Sequence, residues 1–442
     1  MRFLMLIMML ALQPALPASA ADIEVQPTGS LGDALDSASD GDTIYLQPGI
    51  YSESLAVNKT VCITGQEGAV IEGGIRILAD GVLLSGITIR GSGIILSSNG
   101  SRIDGCNVSG CTGSGIVITG SGSSIVNSSI TRNGLVGIEI WGSNNTVRWN
   151  RIDANDDCGI IVHGADNVLE GNAILENLHD GVEIEGSSNL IAGNNVSMSR
   201  GAGIEILNMS SGNVVEGNTI HGSGECGIEV IESYENNITG NILRGNGFGI
   251  KTERATNNLI SGNTVHNSAE DGIIISDESR CNTVHKNNVS SNHVAGVRIK
   301  GSKDNVVIGN SVRGNAVGID ISSSENNTIL GNCVVMNGVG IHLDMYSTDN
   351  TLYHNAMIDN RQSALDSSVY YGKNMWDSGS EGNYYSDHIC QEVCGAYEIP
   401  SGEDRKNIDR FPLSSWDERL MDVEFVWPVS GCVPAYAKGL AI

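Results

Sequence analysis

The chain has few aromatic residues and few prolines. Aromatic side chains make up 5% of its 442 residues, and there are 8 Pro against 56 Gly. This composition is unusual for compact globular domains, and the lack of runs of Ala, Leu, Lys and Glu argues against a helical bundle. Apolar residues make up 40% of the chain, which is too many for a disordered protein. Repeated β-structure in one elongated domain is the class that remains.

Basic residues are also too few to balance the acidic ones. The chain has 25 Lys and Arg against 51 Asp and Glu, which gives a formal net charge of −26. This charge repels phosphate backbones and anionic lipid headgroups, so it disfavours binding to nucleic acid or to a membrane surface. Divalent cations and neutral sugars remain compatible with it.

Beyond the N-terminus, the sequence has no apolar run long enough to span a membrane. Residues 1–21 have the features of an export signal, with Arg2 followed by an apolar run and by small residues up to Ala21. We therefore expect an extracytoplasmic protein, either secreted to the cell surface or periplasmic. Three of the 10 Cys cluster in the tail, where they predict a disulfide bridge: Cys390, Cys394 and Cys432.

A repeat with a period of 22–24 residues runs through most of the chain. Its first mark is a Gly followed by Ile or Val, at Gly93, Gly115, Gly137, Gly159, Gly181, Gly203, Gly227, Gly249, Gly272, Gly296, Gly318 and Gly340. Its second mark is an Asn in phase with the first, at Asn150, Asn172, Asn194, Asn218, Asn241, Asn263, Asn287, Asn310, Asn332 and Asn355. Apolar residues alternate within each repeat, so we predict an all-β parallel solenoid of about 12 rungs.

The alternation also predicts which side chains are buried. After each Gly the side chains should point inward, outward and inward again, so Ile204 and Ile206 should enter the core while Glu205 faces solvent. We interpret the recurring Asn as turn residues whose amides bond to local backbone and to the Asn of the neighbouring rungs.

Both ends of the chain are typical of caps. Residues 31–39 predict a short amphipathic helix, and the last 73 residues hold 11 of the 20 aromatic residues. A solenoid exposes strand edges at its ends, and large aromatic side chains are suited to covering them. The same aromatic residues are also compatible with a platform for sugars.

Several motifs at these ends resemble known β-helix proteins. Gly41-Asp42-Thr43-Ile44 after the helix resembles the entry to right-handed parallel β-helices of the pectin-lyase-like class. Asn374-Met375-Trp376-Asp377 and the run Ile408 to Leu413 resemble the tail of NosD-like proteins with PbH1 repeats, of the archaeal surface-protein type. The resemblance implies a right-handed β-helix with a cap and first strands at 22–75, repeats at 76–369 and a C-terminal cap at 370–442.

Candidate site residues lie on one outward column and beside it. Glu183, Glu205 and Glu229 occupy the position two residues after Gly on consecutive rungs, and we expect them to bind substrate. The candidates for catalysis precede the Gly positions nearby: Asp156, Asp157, His179 and Asp180. Stacked carboxylates either bind a cation, share protons for acid–base chemistry or form a solvated acidic face, and the sequence leaves these alternatives open.

Two further resemblances bear on the site. Asp156-Asp157 followed one rung later by His179 resembles polygalacturonases, as does Arg298-Ile299-Lys300, although Arg298 lies five rungs beyond His179. The NosD resemblance implies copper delivery, and residues with copper-binding side chains gather in the last two rungs: Met336, His342, Met345, His354 and Met357.

The function predicted from the sequence is binding of carbohydrate or other cell-envelope material on the acidic face. One alternative is a polysaccharide-active enzyme, namely a hydrolase, lyase or epimerase, because pectin-lyase-like folds host all three. The other alternative is a copper-handling accessory protein. Calcium and copper are both open as cofactors.

Overall fold

The computed structural model describes residues 20–368, 373–389, 394–401 and 406–416. Nearly all of the predicted export signal lies outside the described residues, and so do Cys390, Cys432 and five tail aromatic residues: Tyr370, Tyr371, Phe425, Trp427 and Tyr436. Within the described ranges, no helix is long and apolar enough to span a membrane.

The chain folds into a right-handed parallel β-solenoid. Its longest sheet has 16 strands, which gives about 16 rungs. The fold class is as predicted, but the predicted number of about 12 rungs was wrong. The predicted count begins at Gly93 and leaves out the first rungs, whose face A strands begin at Asp22, Thr43, Cys62 and Leu83. Gly74-Ile75 carries the same mark one rung earlier and pairs in register with Gly93-Ile94. In these rungs, single strands such as Ala69–Ile77 run through the corner that the Gly marks in later rungs.

The strands form three parallel stacks, which we call faces A, B and C. The strands of face A are Asp22–Val25, Thr43–Leu46, Cys62–Gly65, Leu83–Ser85, Arg102–Asp104, Ser124–Val126, Thr146–Arg148, Val168–Glu170, Leu190–Ala192, Val214–Glu216, Asn237–Thr239, Leu259–Ser261, Thr283–His285, Val306–Ile308, Thr328–Leu330 and Thr351–Tyr353. Those of face B alone are Gly49–Tyr51, Asn107–Cys111, Ser129–Thr131, Arg151–Asp153, Ala173–Leu175, Asn195–Ser197, Thr219–His221, Ile242–Arg244, Thr264–His266, Asn288–Ser290, Ser311–Arg313, Cys333–Val335, Ala356–Ile358 and Tyr384–Tyr385.

Face C carries the candidate site. Its strands are Leu55–Val57, Ile116–Ile118, Ile138–Ile140, Ile160–Val162, Val182–Ile184, Ile204–Ile206, Cys226–Ile231, Phe248–Glu253, Ile273–Ser276, Ala295–Lys300, Val317–Ser322, Val339–Leu343 and Gln362–Asp366. Two long strands, Ala69–Ile77 and Thr88–Leu96, run through both face B and face C.

The core is a continuous column of aliphatic side chains inside the solenoid. Ile204 and Ile206 are fully buried, whereas Glu205 between them is partly exposed, as the alternation predicted. β-Branched side chains suit this interior because they pack well on the pleated surface of a strand.

The recurring Asn residues form a continuous buried ladder. The Asn241 side-chain amide donates to Asn263 Oδ1 at 3.0 Å and to the Val215 carbonyl at 2.8 Å, and Asn241 Oδ1 accepts from Asn218 Nδ2 at 3.0 Å. The predicted bonding to the Asn of neighbouring rungs is confirmed. The backbone acceptor lies on the preceding rung, and local backbone is bonded as well only at some positions, such as Asn310 to the Ile308 carbonyl at 3.1 Å. A second ladder, which includes Asn236 and Asn258, runs alongside the first.

A short helix, Leu31–Ser37, covers the first rung. Ser30 caps it by accepting a hydrogen bond from the Asp33 backbone N–H at 3.0 Å, and Leu31 and Leu35 are buried against the core. Ser, Thr, Asp and Asn are favoured at this position because their side chains satisfy backbone donors that have no partner inside the helix. The helix predicted over 31–39 is therefore present and slightly shorter.

At the other end, aromatic side chains close the core. Trp376 and Tyr385 are buried, and the Tyr385 ring stacks on Tyr397 with 3.7 Å between ring centroids. Arg410 donates from Nε to Asp377 at 2.9 Å and ties the last described segment to this cap. An antiparallel pair, Tyr397–Ile399 with Asn407–Asp409, follows the parallel stack. Among the described residues, Cys394 in the tail and Cys281 in the repeats are disulfide-bonded. The sequence did not predict the bonding of Cys281.

Candidate functional site

Three glutamates stand in one column on face C. Glu183, Glu205 and Glu229 pair in register on adjacent strands, because each lies two residues after the Gly of its own rung. Adjacent strands are about 4.8 Å apart, so the carboxylates are held close together. Glu183 and Glu205 are partly exposed, whereas Glu229 is only 5% exposed. The column therefore borders solvent at one end and is buried at the other.

The surroundings of these carboxylates disfavour negative charge. Burial raises the pKa of Glu205 to about 7, and the charges of Asp180 and Glu229 add to that shift. Burial also raises the pKa values of Glu183 and Asp180. Near neutral pH, uptake of a proton or a nearby cation therefore stabilises the carboxylates in this part of face C.

Beside the column, Cys158 lies at the centre of a compact polar cluster. Its Sγ is 3.4 Å from His179 Nδ1, 3.8 Å from Asp180 Oδ2 and 3.5 Å from Glu183 Oε2. One potential ligand atom from each of the four residues lies within 4.8 Å of all the others. Cys158 is 1% exposed, and burial next to Asp180 strongly raises the pKa of its thiol. We call these four residues the Cys158 cluster.

The backbone of the next rung orients Asp180 within this cluster. Asp180 Oδ1 accepts a hydrogen bond from the Ala202 N–H at 2.6 Å, which leaves Oδ2 to face His179 at 2.8 Å. Gly201 makes room for this carboxylate, because a Cβ at that position would lie 2.3 Å from Asp180 Oδ1. The position of Asp180 is therefore set by the fold and not only by its own rotamer.

His179 forms the solvent-facing side of the cluster. Its side chain is 61% exposed, and although burial opposes the shift, Asp180 and Asp157 raise the pKa of its imidazole. Asp156 is exposed, while Asp157 Oδ1 accepts from the Cys158 N–H at 2.9 Å. The structure thus brings three sequence candidates, His179, Asp180 and Glu183, into one cluster with Cys158.

Cys158 was absent from the candidates that the sequence suggested. It directly precedes Gly159, as Asp180 directly precedes Gly181, so the two occupy the same position on consecutive rungs. Applying the column argument to every residue type before Gly, rather than to charged residues alone, would have found it.

Farther along face C, the carboxylates are neutralised by basic residues. Lys251 Nζ is 2.8 Å from Glu229 and 3.0 Å from Glu253. Arg298 reaches Asp271 at 3.0 Å and Asp320 at 2.7 Å. Arg298 is therefore engaged in an ion-pair network of its own, several rungs from His179, and the two do not form a shared site of the polygalacturonase kind.

The residues considered for copper have separate surroundings. His342 Nδ1 lies 2.7 Å from Asp320 Oδ1, and His354 Nε2 lies 2.7 Å from Glu381 Oε2. Met357 is fully buried in the core. The two remaining side chains are about half exposed: Met336 and Met345.

An exposed indole lies near the N-terminal end of the glutamate column. Trp141 is 53% exposed, and its Nε1 donates to Glu139 Oε1 at 2.9 Å. The indole stacks on the His163 ring with 3.7 Å between centroids. Glu139 lies in the same column as Glu183, two rungs earlier. Trp141 was absent from the sequence candidates for binding and catalysis, which were drawn from charged residues. The alternation that buries Ile138 and Ile140 places Trp141 at an outward position and would have found it.

These features define a right-handed parallel β-helix with a polar face C. Some carboxylates of that face have no Lys or Arg partner among the residues that the structure describes. A family model described as "Right handed beta helix region" matches residues 73–220. A second model, described as "Periplasmic copper-binding protein (NosD)", matches residues 206–390. The chain is thus a NosD-like right-handed β-helix protein. A comparison with curated proteins finds no match.

Solved structures with the same fold include enzymes that act on alginate. The A-module of a mannuronan C-5 epimerase from Azotobacter vinelandii is 17% identical, with a TM-score of 0.52, and the match covers 69% of this chain and 96% of that module. A mutant of a PL6 family alginate lyase is 14% identical, with a TM-score of 0.54 and a match covering 82% of this chain and 76% of the lyase. At these identities the likeness shows the fold alone.

Proposed function

We propose that face C binds a linear carbohydrate, with Trp141 as a stacking platform and Glu183 and Glu205 as hydrogen-bond acceptors for sugar hydroxyls. The observation that carries the proposal is the exposed indole held in place at the end of the glutamate column. A ligand that covers a large exposed aromatic side chain removes apolar surface from water at little cost in free energy. Oriented polar groups beside that side chain give the binding its specificity.

The charge of the face indicates which sugars fit. Asp180, Glu183 and Glu205 form no ion pair with Lys or Arg in the described residues, so an anionic chain would be repelled. A neutral or amino sugar chain fits this surface directly. The structural neighbours that act on alginate, an anionic polymer, support a polysaccharide as ligand class, but on face C such a polymer would need a divalent cation.

The experiment compares two exposed tryptophans on different faces. Trp149 is 61% exposed and follows a strand of face A, so Trp149→Ala is a matched control for Trp141→Ala. Binding to immobilised neutral, amino and uronate polysaccharides is measured with and without calcium. We expect Trp141→Ala to lose binding about 10-fold or more and Trp149→Ala to bind like the parent. Equal binding by the parent and both variants would refute the proposal.

A polysaccharide-active enzyme is the second candidate. It is favoured by Glu183 and Glu205 on adjacent rungs beside the exposed imidazole of His179, a set of groups that can donate and accept protons. Mass analysis of polysaccharide incubated with the protein tests this activity. Products that form with the parent but not with Glu205→Gln or His179→Ala would favour the enzyme over a binding protein.

A copper-handling role is supported by the description of the NosD family model. In this chain, however, His342 and His354 are bonded to separate carboxylates, and Met357 lies in the core. A test is titration with Cu(I) of the parent and of a His342→Ala, His354→Ala double variant. Equal affinity in both would exclude these residues as the copper site.

We propose that the protein lies outside the cytoplasm. The export-signal features of residues 1–21 and the periplasmic description of the family model support this location. Cell fractionation of the full-length chain, with N-terminal sequencing of the mature product, tests it. A chain that keeps residues 1–21 and stays in the cytoplasm would contradict this location.

A further inference from the structure

The Cys158 cluster combines a thiol, an imidazole and two carboxylates, which differs from an ordinary acidic patch. Its members come from consecutive rungs of face C: Cys158 precedes the Ile160–Val162 strand, His179 and Asp180 precede the Val182–Ile184 strand, and Glu183 lies within the latter. Nitrogen, sulphur and oxygen donors of this kind are the ligands that Zn²⁺ takes in proteins.

The distances from Cys158 Sγ to the other three residues of the cluster match those between the ligands of a tetrahedral ion. Bonds of about 2.0–2.3 Å from Zn²⁺ to its ligands place neighbouring ligand atoms about 3.3–3.8 Å apart. Cys158 Sγ is 3.4, 3.8 and 3.5 Å from the facing atoms of His179, Asp180 and Glu183. The four ligand atoms all lie within 4.8 Å of one another. The pair His179 Nδ1 and Asp180 Oδ2, at 2.8 Å, must open slightly, and the exposed His179 side chain can rotate outward.

The charges around the cluster also favour a bound cation. On the rungs that follow, the buried carboxylates Glu229, Asp271 and Asp320 are paired with Lys251 or Arg298. Asp271 provides the closest comparison, because it precedes Gly272 as Asp180 precedes Gly181 and also accepts a hydrogen bond from the backbone of the next rung. Arg298 neutralises Asp271, whereas no Lys or Arg in the described residues pairs with Asp180 or Glu183. The fold thus supplies Arg298 as the cation beside Asp271, whereas the equivalent carboxylate of Asp180 remains available to another cation.

We propose that Cys158, His179, Asp180 and Glu183 bind one Zn²⁺ ion, or a similar divalent first-row transition-metal ion. Binding displaces the thiol proton of Cys158 to solvent, so the thiolate, the neutral imidazole and the two carboxylates become the ligands. The hydrogen bond from Ala202 N–H to Asp180 Oδ1 holds one ligand in orientation. The exposed His179 provides the entry path. This site goes beyond carbohydrate binding, and it is tested without any glycan.

The experiment uses the purified full-length protein after treatment with a chelator. Zn²⁺ binding is measured by equilibrium dialysis, and Co²⁺ serves as a spectroscopic probe, because a cobalt–thiolate bond gives charge-transfer absorption that nitrogen and oxygen ligands do not. We expect one equivalent of Zn²⁺ per chain and thiolate absorption with Co²⁺. Cys158→Ser should abolish that absorption and weaken Zn²⁺ binding about 10-fold or more.

Cys226→Ser is the matched control. Cys226 precedes Gly227 as Cys158 precedes Gly159 and is equally buried, but its surroundings include Glu229 already paired with Lys251. It should bind both ions like the parent. His179→Ala, which alters an exposed side chain and should leave the fold intact, is expected to weaken Zn²⁺ binding as well.

Three results would overturn the metal site: no stoichiometric Zn²⁺ binding by the parent, persistence of the cobalt–thiolate absorption in Cys158→Ser, or an equal loss of binding in Cys226→Ser. Trp141→Ala separates this proposal from the proposed function. It should bind Zn²⁺ like the parent while losing carbohydrate, so either proposal can fail without the other.

Discussion

Replacing one Asn of the buried ladder tests how much the ladder stabilises the solenoid. Asn241 lies near the middle of the ladder, so partial unfolding at either end of the solenoid does not bypass it. Asn241→Ala removes two hydrogen bonds donated by the side-chain amide, to the Val215 carbonyl and to Asn263 Oδ1. It also removes two bonds accepted by Oδ1, from the backbone N–H and the side-chain amide of Asn218.

The expected magnitude follows from these bonds. A buried hydrogen bond contributes about 1 kcal/mol net, so the four lost bonds lower the free energy of unfolding by about 4 kcal/mol. Native proteins are stable by only about 5–15 kcal/mol, so this loss is a large part of the total. Asn195→Ala is the control, because Asn195 is exposed on face B and lies outside the ladder. It should change the free energy of unfolding by less than about 0.5 kcal/mol.

Both variants are measured by equilibrium unfolding in guanidinium chloride, followed by circular dichroism. Solenoids can unfold in segments. Hydrogen exchange of the backbone amides at positions 218 and 241 therefore measures the local decrease in the free energy of unfolding. If Asn241→Ala loses no more than Asn195→Ala by both measurements, then the ladder is not a major source of stability and the hydrogen-bond argument is wrong.

Three further predictions concern buried or constrained groups. Lys251→Met leaves Glu229 buried without its ion pair and should lower the free energy of unfolding by about 2–3 kcal/mol, whereas adding Glu229→Gln should restore most of it. Hydrogen bonds from its arginine partner lower the pKa of Asp377, so its contribution to stability is full at neutral pH and lost as pH falls through that lowered pKa. The melting temperature of Asp377→Asn should then fall less than that of the parent below about pH 4. Gly201→Ala places a Cβ 2.3 Å from Asp180 Oδ1 and should weaken Zn²⁺ binding about 10-fold, measured by dialysis, with an unchanged circular dichroism spectrum.

The fold could be predicted because one short pattern determines almost all of it. A period of 22–24 residues with alternating apolar positions fixes both the strands and their register, so Glu183 and Glu205 were correctly placed on adjacent rungs. The count began at Gly93, although Gly74-Ile75 carries the same mark and pairs in register with Gly93-Ile94. One rung earlier Ser54 stands at the Gly position, so the mark is absent there. In that region the chain turns through continuous strands such as Ala69–Ile77.

The site was only partly predictable, because its chemistry depends on distances between side-chain ends. The columns indicated that His179, Asp180 and Glu183 are neighbours, but the role of Cys158 depends on Sγ lying within 3.8 Å of all three. Similarly, spacing alone could not show that Lys251 neutralises Glu229 while no Lys or Arg of the described ranges pairs with Glu205, since both glutamates occupy the same position in the repeat.

The Asn ladder also orders electric dipoles along the solenoid. Within the ladder each side-chain amide donates one hydrogen bond to the Asn of the next rung, toward the C-terminal end. The amide dipoles, about 3.5 D each, therefore add head to tail as peptide dipoles do in a helix. The last donor, Asn383, meets a fully buried carboxyl group: Asp409 Oδ2 accepts from its backbone N–H at 2.7 Å and from its side chain at 3.4 Å. Burial raises the pKa of Asp409, and these donors oppose that shift. The cap thus places an acceptor group at the positive end of an axial dipole, an electrostatic end point as well as a steric one.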